Sequence, residues 1–254
     1  MTLVDTSGWG LLAISGGDRV RFLQGLTTIN VPTLPSDRPT WGALLLPKGR
    51  VLSVFALEPH GEELWLRCEP ELIDKTTQIL ERYAVMDDVT FERRHLPSYR
   101  VWSSPADVWR APFVAGEPPQ APGSAHALEV LRIRGGFLRY GVDVDEDCFP
   151  FETPLAAFLD YEKGCYVGQE PVFRVHAQGN SARALRGLLI EGPEPVAPGA
   201  IISHPAKDRA GTITSAVAEG DHQLALGYLH RTTWEVGGTV TVAGRAAKVH
   251  ELPF

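Results

Sequence analysis

Residues 163–170, with the sequence KGCYVGQE, place a thiol among charged and flexible residues. Lys163 lies two residues before Cys165, and a nearby cation lowers the pKa of a thiol because it stabilises the thiolate. A helix beginning near Gly168 would act in the same direction through the positive end of its dipole. The run therefore predicts a reactive cysteine on a glycine-rich turn. The alternative interpretation is an ordinary turn that carries a buried and inert thiol.

The same run resembles the K-G-C-[YF]-x-G-Q-E signature of the YgfZ family, which comprises folate-binding relatives of the glycine-cleavage T protein, an aminomethyltransferase. The match continues without gaps through Arg174 and residues 183–185. The resemblance implies that Cys165 is the reactive group, that Lys163 tunes it, and that the cofactor is tetrahydrofolate or another reduced folate. It also implies folate contacts from three residues at and after the end of the signature: Gln169, Glu170 and Arg174.

A second pattern lies in residues 132–152 and resembles the R-I-x-x-G-x-x-x-Y-G-x-D … P-x-E pattern that aminomethyltransferases share with the YgfZ group. A pterin ring presents an amino group beside a ring N–H, and one carboxylate can accept both donors at once. Glu152 is the candidate for that contact, with Tyr140 as an aromatic wall or hydroxyl partner. Alternatively, Glu152 favours the start of a helix before Thr153 and Pro154, and Tyr140 is ordinary core.

Three shorter segments extend the resemblance over nearly the whole chain, with residues 104–126 the least covered part. They are residues 22–27 (FLQGLT), 211–216 (GTITSA) and 226–229 (LGYL). One departure separates this chain from true aminomethyltransferases, which carry a G-G-[IV]-[LI]-D-D segment with the catalytic aspartate. Ser53 and Val54 occupy the acidic positions here, and neither side chain can take up a proton or stabilise a developing ammonium. We therefore expect no glycine-cleavage activity.

Composition sets further limits on the function. A net charge of −7 over 254 residues argues against direct binding of nucleic acid. The three widely spaced cysteines form neither a disulfide framework nor a metal-binding cluster, so we expect no metal and a cytoplasmic location. No run of about 18 apolar residues predicts a membrane span. The acidic residues 87–88 and 143–147 are predicted to be solvated turns.

The pattern of short apolar strands with isolated helices predicts an α+β fold, and the resemblance implies the multi-lobe ring of aminomethyltransferases. We expect a folate-binding region of two α+β lobes over residues 1–182 and a small antiparallel β-barrel over residues 183–254. A Pro- and Gly-rich surface loop is predicted at about 104–126. The remaining predicted elements are strands at 9–14, 63–68, 89–93 and 99–102, a β-hairpin at 43–57, helices at 19–25, 70–83, 127–134 and 155–159, and barrel strands at 182–190, 212–218, 223–229, 239–242 and 246–251.

Three functional hypotheses from different classes remain. The first is a YgfZ-type folate-binding protein that supports the assembly or repair of iron–sulfur enzymes and, through such a client, tRNA modification. The second is a folate-dependent one-carbon transferase that has exchanged carboxylate chemistry for a cysteine nucleophile. The third is a non-enzymatic scaffold with the same fold. In the first hypothesis the partners are folate and iron–sulfur client or assembly proteins, and Cys165 is the working thiol.

Overall fold

The computed structural model describes residues 1–179 and 181–254. Their strands and helices form three antiparallel sheets, one of them closed, with four α-helices packed between or beside them. The predicted α+β class is therefore confirmed. The strands are β1 Thr2–Asp5, β2 Gly10–Ser15, β3 Thr40–Leu45, β4 Val51–His60, β5 Glu63–Cys68, β6 Thr90–Arg94, β7 Ser98–Trp102, β8 Val114–Ala115, β9 Arg183–Glu191, β10 Ile201–His204, β11 Lys207–Glu219, β12 His222–His230, β13 Thr239–Val242 and β14 Arg245–His250, and the helices are α1 Arg19–Leu26, α2 Ile73–Tyr83, α3 Ala125–Arg134 and α4 Gln169–Gln178.

The first lobe is a five-stranded sheet in the order β3-β4-β5-β2-β6, covered by α1 and α2. The predicted hairpin is present as β3 and β4, joined by a tight turn at Pro47-Lys48-Gly49. The predicted helix 70–83 begins with a 3₁₀ turn at Pro70–Leu72 and becomes α-helical at Ile73. Leucine and phenylalanine side chains of both layers fill the space between sheet and helices, which buries the apolar face that each element presents.

The second lobe combines the three-stranded sheet β1-β7-β8 with α3. Here the predicted surface loop at 104–126 is wrong in its first part, because residues Pro105–Trp109 form a 3₁₀ turn that buries Val108 and Trp109. The indole of Trp109 meets that of Trp41 edge-on, with ring centroids 5.4 Å apart, and Trp41 Nε1 donates to the Trp109 carbonyl at 2.7 Å. Burial of an aromatic ring outweighs the turn-forming tendency of the prolines and glycines around it.

The C-terminal strands β9 to β14 close into the predicted barrel, in the order β10-β11-β12-β9-β14-β13, and β10 pairs with β13 to complete it. Its interior is filled by branched aliphatic side chains, including Leu188, Ile202 and Val240. The strand β10 was not predicted because its four residues offer too short an alternation of apolar and polar positions. Whether the chain divides into independent domains at residue 182 stays a prediction.

Asp143 connects the lobes, which corrects the interpretation of residues 143–147 as a solvated turn for this residue, whereas residues 145–147 are exposed as predicted. The Asp143 side chain is fully buried. One carboxylate oxygen accepts from Arg132 of α3 at 2.6 Å, and the other accepts from the hydroxyls of Thr214 and Ser215 in the barrel at 2.6 and 2.7 Å. The hydroxyl of Tyr228 donates to the Asp143 carbonyl at 2.8 Å. A buried carboxylate with this many donors is fully satisfied, so it fixes the barrel against the second lobe.

Candidate functional site

Signature residues 163–168 form a loop in which Gly164 and Cys165 are exposed, and the last two signature residues begin α4. Gly164 and Gly168 adopt positive φ angles of 91° and 80°, and Gly168 is the N-terminal cap residue of α4. A Cβ atom at Gly168 would lie 2.4 Å from the Leu46 carbonyl oxygen, so glycine is required there by both backbone angle and space. The predicted start of a helix near Gly168 is thereby confirmed.

The thiol of Cys165 lies on the exposed part of this loop, whereas Cys68 and Cys148 are 0% and 4% exposed. The expectation that the other two thiols are better shielded is confirmed. Burial also raises the pKa of the Cys68 thiol to about 12, and burial raises the pKa of Cys148. Both groups therefore stay protonated and poorly nucleophilic at neutral pH.

Lys163 points away from solvent, into the end of helix α1. Its Nζ donates to the carbonyls of Gln24 at 2.8 Å and Thr27 at 2.5 Å, and the side chain is 9% exposed. Burial lowers the pKa of Lys163 to about 7, although the charge of Asp160 acts in the opposite direction. The ammonium thus has its hydrogen-bond partners in α1, and the predicted tuning of Cys165 by its charge stays a prediction.

Other residues at the end of α1 hold the loop as well. The Gln24 amide nitrogen donates to the Lys163 carbonyl at 2.7 Å, and Val167 N donates to the Gly25 carbonyl at 3.1 Å. The FLQGLT segment and the signature, which lie 136 or more residues apart at these contacts, are therefore in direct contact. The carbonyls in the last turn of α1 lack partners within the helix, and the loop supplies donors to them.

The predicted folate contacts at the end of the signature lie on the first turns of α4. The Gln169 side-chain oxygen accepts from Tyr166 N at 3.1 Å, so it braces the loop. Glu170 and Arg174 form an i,i+4 ion pair at 2.7 Å, with side chains that are 83% and 64% exposed. An exposed pair of this kind contributes little to stability, and both groups are accessible to a ligand or a partner.

Glu152 is buried and paired. Arg183 Nε and Nη2 each donate to one carboxylate oxygen at 3.1 Å, and Phe149 N donates to Oε2 at 3.0 Å. Glu152 also ends a 3₁₀ turn at Pro150–Glu152. A second 3₁₀ turn, Pro154–Phe158, follows with Thr153 as its N-terminal cap, so the alternative interpretation of Glu152 as a residue before the start of a helix describes part of its surroundings. The pairing occupies the bidentate face of the carboxylate, and a pterin would have to share or replace Arg183 there.

Tyr140 lies against the first lobe. Its hydroxyl accepts from Lys75 Nζ at 2.9 Å and donates to the Val51 carbonyl at 3.4 Å, while its backbone N–H donates to Glu69 at 2.8 Å. Burial raises the pKa of the Tyr140 hydroxyl, and Lys75 lowers it by a smaller amount. Lys75 also pairs with Glu146 at 2.6 Å. Tyr140 therefore links β4 and α2 to the segment that carries Asp143.

A cavity of about 390 Å³ opens beside Glu152, between the 3₁₀ turn Pro105–Trp109 and strand β9. Trp109, Phe151 and Phe158 supply its aromatic walls. Tyr140 is not among its lining residues, so the structure does not bring the two predicted pterin contacts together at this cavity. The remaining charged groups that line it are Arg110, Arg186 and Glu251.

Ser53 and Val54, which occupy the positions of the catalytic aspartates of aminomethyltransferases, lie in β4. Ser53 is fully buried, and its hydroxyl shares a 2.6 Å hydrogen bond with that of Thr76 in α2. Val54 packs in the large hydrophobic core between the lobes. The bond between Ser53 and Thr76 holds α2 on the sheet, which is a structural role.

Two residues beside the site were missed as site residues. Arg183 pairs with Glu152, donates to the Asp147 carbonyl at 2.8 Å and lies 4.5 Å from the ring centre of Tyr228. Trp109 forms a wall of the cavity. The three-residue match at 183–185 was a signal for Arg183, whereas the turn-like sequence around Trp109 offered none. Among the described residues, no group of three or more potential ligands could hold a metal ion, and no helix is long and apolar enough to cross a membrane.

Comparison with known protein sequences finds relatives that include the tRNA-modifying protein YgfZ. No family model matches the chain. The tRNA-modifying protein YgfZ of Yersinia enterocolitica is 25% identical over 236 residues, covering 74% of this chain and 71% of that protein. YgfZ of Yersinia pestis is 24% identical over 269 residues, covering 87% and 82%. An uncharacterized protein of Haemophilus influenzae is 25% identical, with 84% of each chain covered.

The structural comparison gives the fold. The glycine cleavage system aminomethyltransferase T from Bartonella henselae superposes with a TM-score of 0.82, covering 99% of this chain and 85% of that one at 19% sequence identity. At this identity the likeness establishes the architecture, while function depends on the residues of the site.

Proposed function

We propose that this chain, which has the aminomethyltransferase-like fold and is similar in sequence to the YgfZ proteins, binds a reduced folate and supports tRNA modification by maintaining an iron–sulfur enzyme. The observation that carries the proposal is the buried residue Glu152 in the lining of an aromatic cavity of about 390 Å³. Tetrahydrofolate or another reduced folate is the ligand class. Cys165 is the reactive group, and the location is cytoplasmic.

The cavity suits the chemistry of a folate. Its volume lies within the range of about 300–1,000 Å³ that is usual for small-molecule sites. Trp109, Phe151 and Phe158 offer flat apolar surfaces to a pterin or an aminobenzoyl ring. Glu152 offers a carboxylate to the paired donors of a pterin, and Arg110 and Arg186 are cations suited to the carboxylates of a glutamate tail.

The Glu152–Arg183 pair defines how a ligand would enter this site. A buried carboxylate without a partner is costly, so Arg183 neutralises Glu152 while no ligand is present. A pterin that donated two hydrogen bonds to the carboxylate would release the guanidinium, which keeps the Asp147 carbonyl and the Tyr228 ring as partners. Glu152 and Arg183 therefore both have partners with the ligand bound and without it. Tyr140, Gln169, Glu170 and Arg174 are proposed as further contacts.

Cys165 is the group through which the protein would act on a client. It is the exposed thiol among the three, on a loop fixed at both ends. Ser53 and Val54 leave the aspartate positions without an acid or a base, which separates this chain from glycine cleavage. Iron–sulfur client or assembly proteins are the proposed partners, with no direct contact to nucleic acid.

Calorimetric titration with tetrahydrofolate tests the binding proposal. Glu152→Gln keeps the size of the side chain but removes the charge, and it should weaken binding by about 1.5–3 kcal/mol, the range for hydrogen bonds to a charged group. Glu81→Gln is the matched control, since it removes an exposed carboxylate of α2 that does not line the cavity. Equal affinities of wild type and Glu152→Gln would remove Glu152 from the site, and absence of binding by the wild type would overturn the folate proposal.

Complementation tests the role of the thiol. In a strain whose iron–sulfur enzymes lose activity without this protein, wild type should restore that activity and Cys165→Ala should not. Cys148→Ala is the control, because it removes a buried thiol of the same chain. Rescue by Cys165→Ala at the wild-type level would make the thiol a bystander and favour a scaffold that binds folate without cysteine chemistry.

A further inference from the structure

Helix α1 and the signature loop complete each other's hydrogen bonds. The last carbonyls of a helix have no partners within it, and α1 has only eight residues. Donors from the loop reach two of these carbonyls and that of the following cap residue: Lys163 Nζ contacts those of Gln24 and of Thr27, the residue after the helix, and Val167 N contacts that of Gly25. The loop therefore acts as the C-terminal cap of α1.

Gln24 makes the contact reciprocal. Its amide nitrogen donates to the Lys163 carbonyl at 2.7 Å, while its amide oxygen accepts from Val31 N at 2.9 Å, which fixes the orientation of the side chain. The backbone of the loop is thus held at Lys163 and at Val167. Cys165 lies midway between these two anchors and is exposed. Two anchors that flank an exposed residue determine where its side chain can go.

We propose that Lys163 is a positioning residue, which together with Gln24 fixes the loop on α1 and thereby sets the place of the Cys165 thiol, and that it does not act on the thiol through its charge. The proposal rests on the proposed function only in taking Cys165 as the working group. It reassigns a residue that the spacing of the signature predicts to be an electrostatic activator.

The surroundings of the ammonium favour the positioning role. Its two acceptors are backbone carbonyls at the negative end of a helix, where a cation is favourable and its charge is largely compensated. The charged and titratable groups that face it are Asp160, from the segment before the loop, and Tyr166, whose ring centre lies 4.8 Å from Nζ. Burial lowers the pKa of Lys163 to about 7, so much of the population is a neutral amine near pH 7. A neutral amine still donates a hydrogen bond, but it no longer stabilises a thiolate.

Substitution of Lys163 and of Gln24 separates the position of the loop from the charge of the ammonium. Lys163→Met removes both the anchor and the charge, whereas Gln24→Met removes an anchor and leaves the charge of Lys163 in place. Lys48→Met, in the exposed turn between β3 and β4, is the control for loss of a lysine. Three properties of the full chain are measured: amide hydrogen exchange at Val167, the pH profile of Cys165 alkylation by iodoacetamide, and rescue of the iron–sulfur enzyme in cells. Urea unfolding confirms that each variant is folded.

The positioning role predicts that Lys163→Met and Gln24→Met both speed exchange at Val167 by about tenfold or more, as expected for a local opening. Both should impair rescue to a similar extent, while the midpoint of the alkylation profile stays within about 0.3 pH units of the wild type. The proposal is overturned if Lys163→Met moves that midpoint upward by more and Gln24→Met does not, or if exchange at Val167 is unchanged in both variants. Because the exchange and alkylation readouts require no folate, failure of folate binding would leave this test intact.

Discussion

Replacing Asp143 by asparagine removes a buried charge to which α3 and the barrel both bind. The carboxylate accepts four hydrogen bonds, from Arg132, from the hydroxyls of Thr214 and Ser215, and from the backbone N–H of Arg139 at 3.1 Å. Asparagine has the same shape but carries a donor in place of one oxygen. If the amide nitrogen faces Arg132 and the Arg139 N–H, donors face each other; if it faces Thr214 and Ser215, their hydroxyls must turn round to accept from it. In both orientations Arg132 loses the charge of this partner.

The expected loss of stability follows from the burial of the ion pair between Asp143 and Arg132. Breaking a buried ion pair by removal of one partner costs about 3–5 kcal/mol, because the other charge stays buried. Arg132 keeps two bonds to Glu129, at 2.9 and 2.7 Å, and one to the Phe137 carbonyl at 2.8 Å. We therefore expect the lower end, about 3 kcal/mol. For a chain of this length that loss corresponds to a decrease in Tm of about 6–12 °C.

Urea unfolding followed by circular dichroism measures the effect, with the slope of the transition as a check that the variant unfolds in the same way. Glu146→Gln is the matched control, since it removes a carboxylate from the same acidic segment that is 55% exposed and paired with Lys75. An exposed pair contributes about 0–1 kcal/mol. If Asp143→Asn and Glu146→Gln lowered the free energy of unfolding by the same amount, the role of Asp143 in joining the lobes would be refuted.

Three further predictions follow from the structure. The protein should show no glycine-cleavage turnover with lipoyl carrier protein and folate, because Ser53 and Val54 occupy the acidic positions and neither can take up a proton; measurable turnover would contradict this. Mass spectrometry after a short iodoacetamide pulse should find Cys165 alkylated and the two buried cysteines protected until urea is added. Lys163 should make the fold more stable as the pH rises from about 7 towards 10.5, because the unfolded chain keeps the proton in this range while the folded chain releases it. Free energies of unfolding from urea titrations at pH 6.5, 8 and 9.5 should rise by up to about 1.4 kcal/mol per pH unit, a slope that is absent in Lys163→Met. Parallel curves for the two proteins would refute the assignment.

Local sequence was sufficient for the parts of the chain in which each element depends on its own residues. The strand at 63–68 and the barrel strand at 239–242 have the predicted bounds, because alternation and turn residues specify a strand wherever one of its faces is buried. The glycine-bounded turn of the signature is also local, since positive φ angles restrict Gly164 and Gly168 irrespective of the rest of the chain. The fold class followed from these elements, and the family resemblance supplied their arrangement.

The partners of the polar side chains could not be predicted in this way, because they come from residues far away along the chain. Nothing near Lys163 in sequence indicates that its ammonium reaches Gln24 and Thr27, 139 and 136 residues earlier. Nor does the acidic segment show that Asp143 is buried while Glu146 is exposed, since burial depends on which lobe packs over each residue.

The same limit applies to the candidate site. The residue types in the two patterns identified Cys165 and Glu152 as candidates, and the sequence alone determined that a thiol and a carboxylate of this kind are present. Only the tertiary structure decided that the thiol is exposed, that Glu152 pairs with Arg183, and that the buried Trp109 forms a wall of the cavity beside it. Exposure, pairing and cavity shape are properties of several segments packed together, and no single segment encodes them.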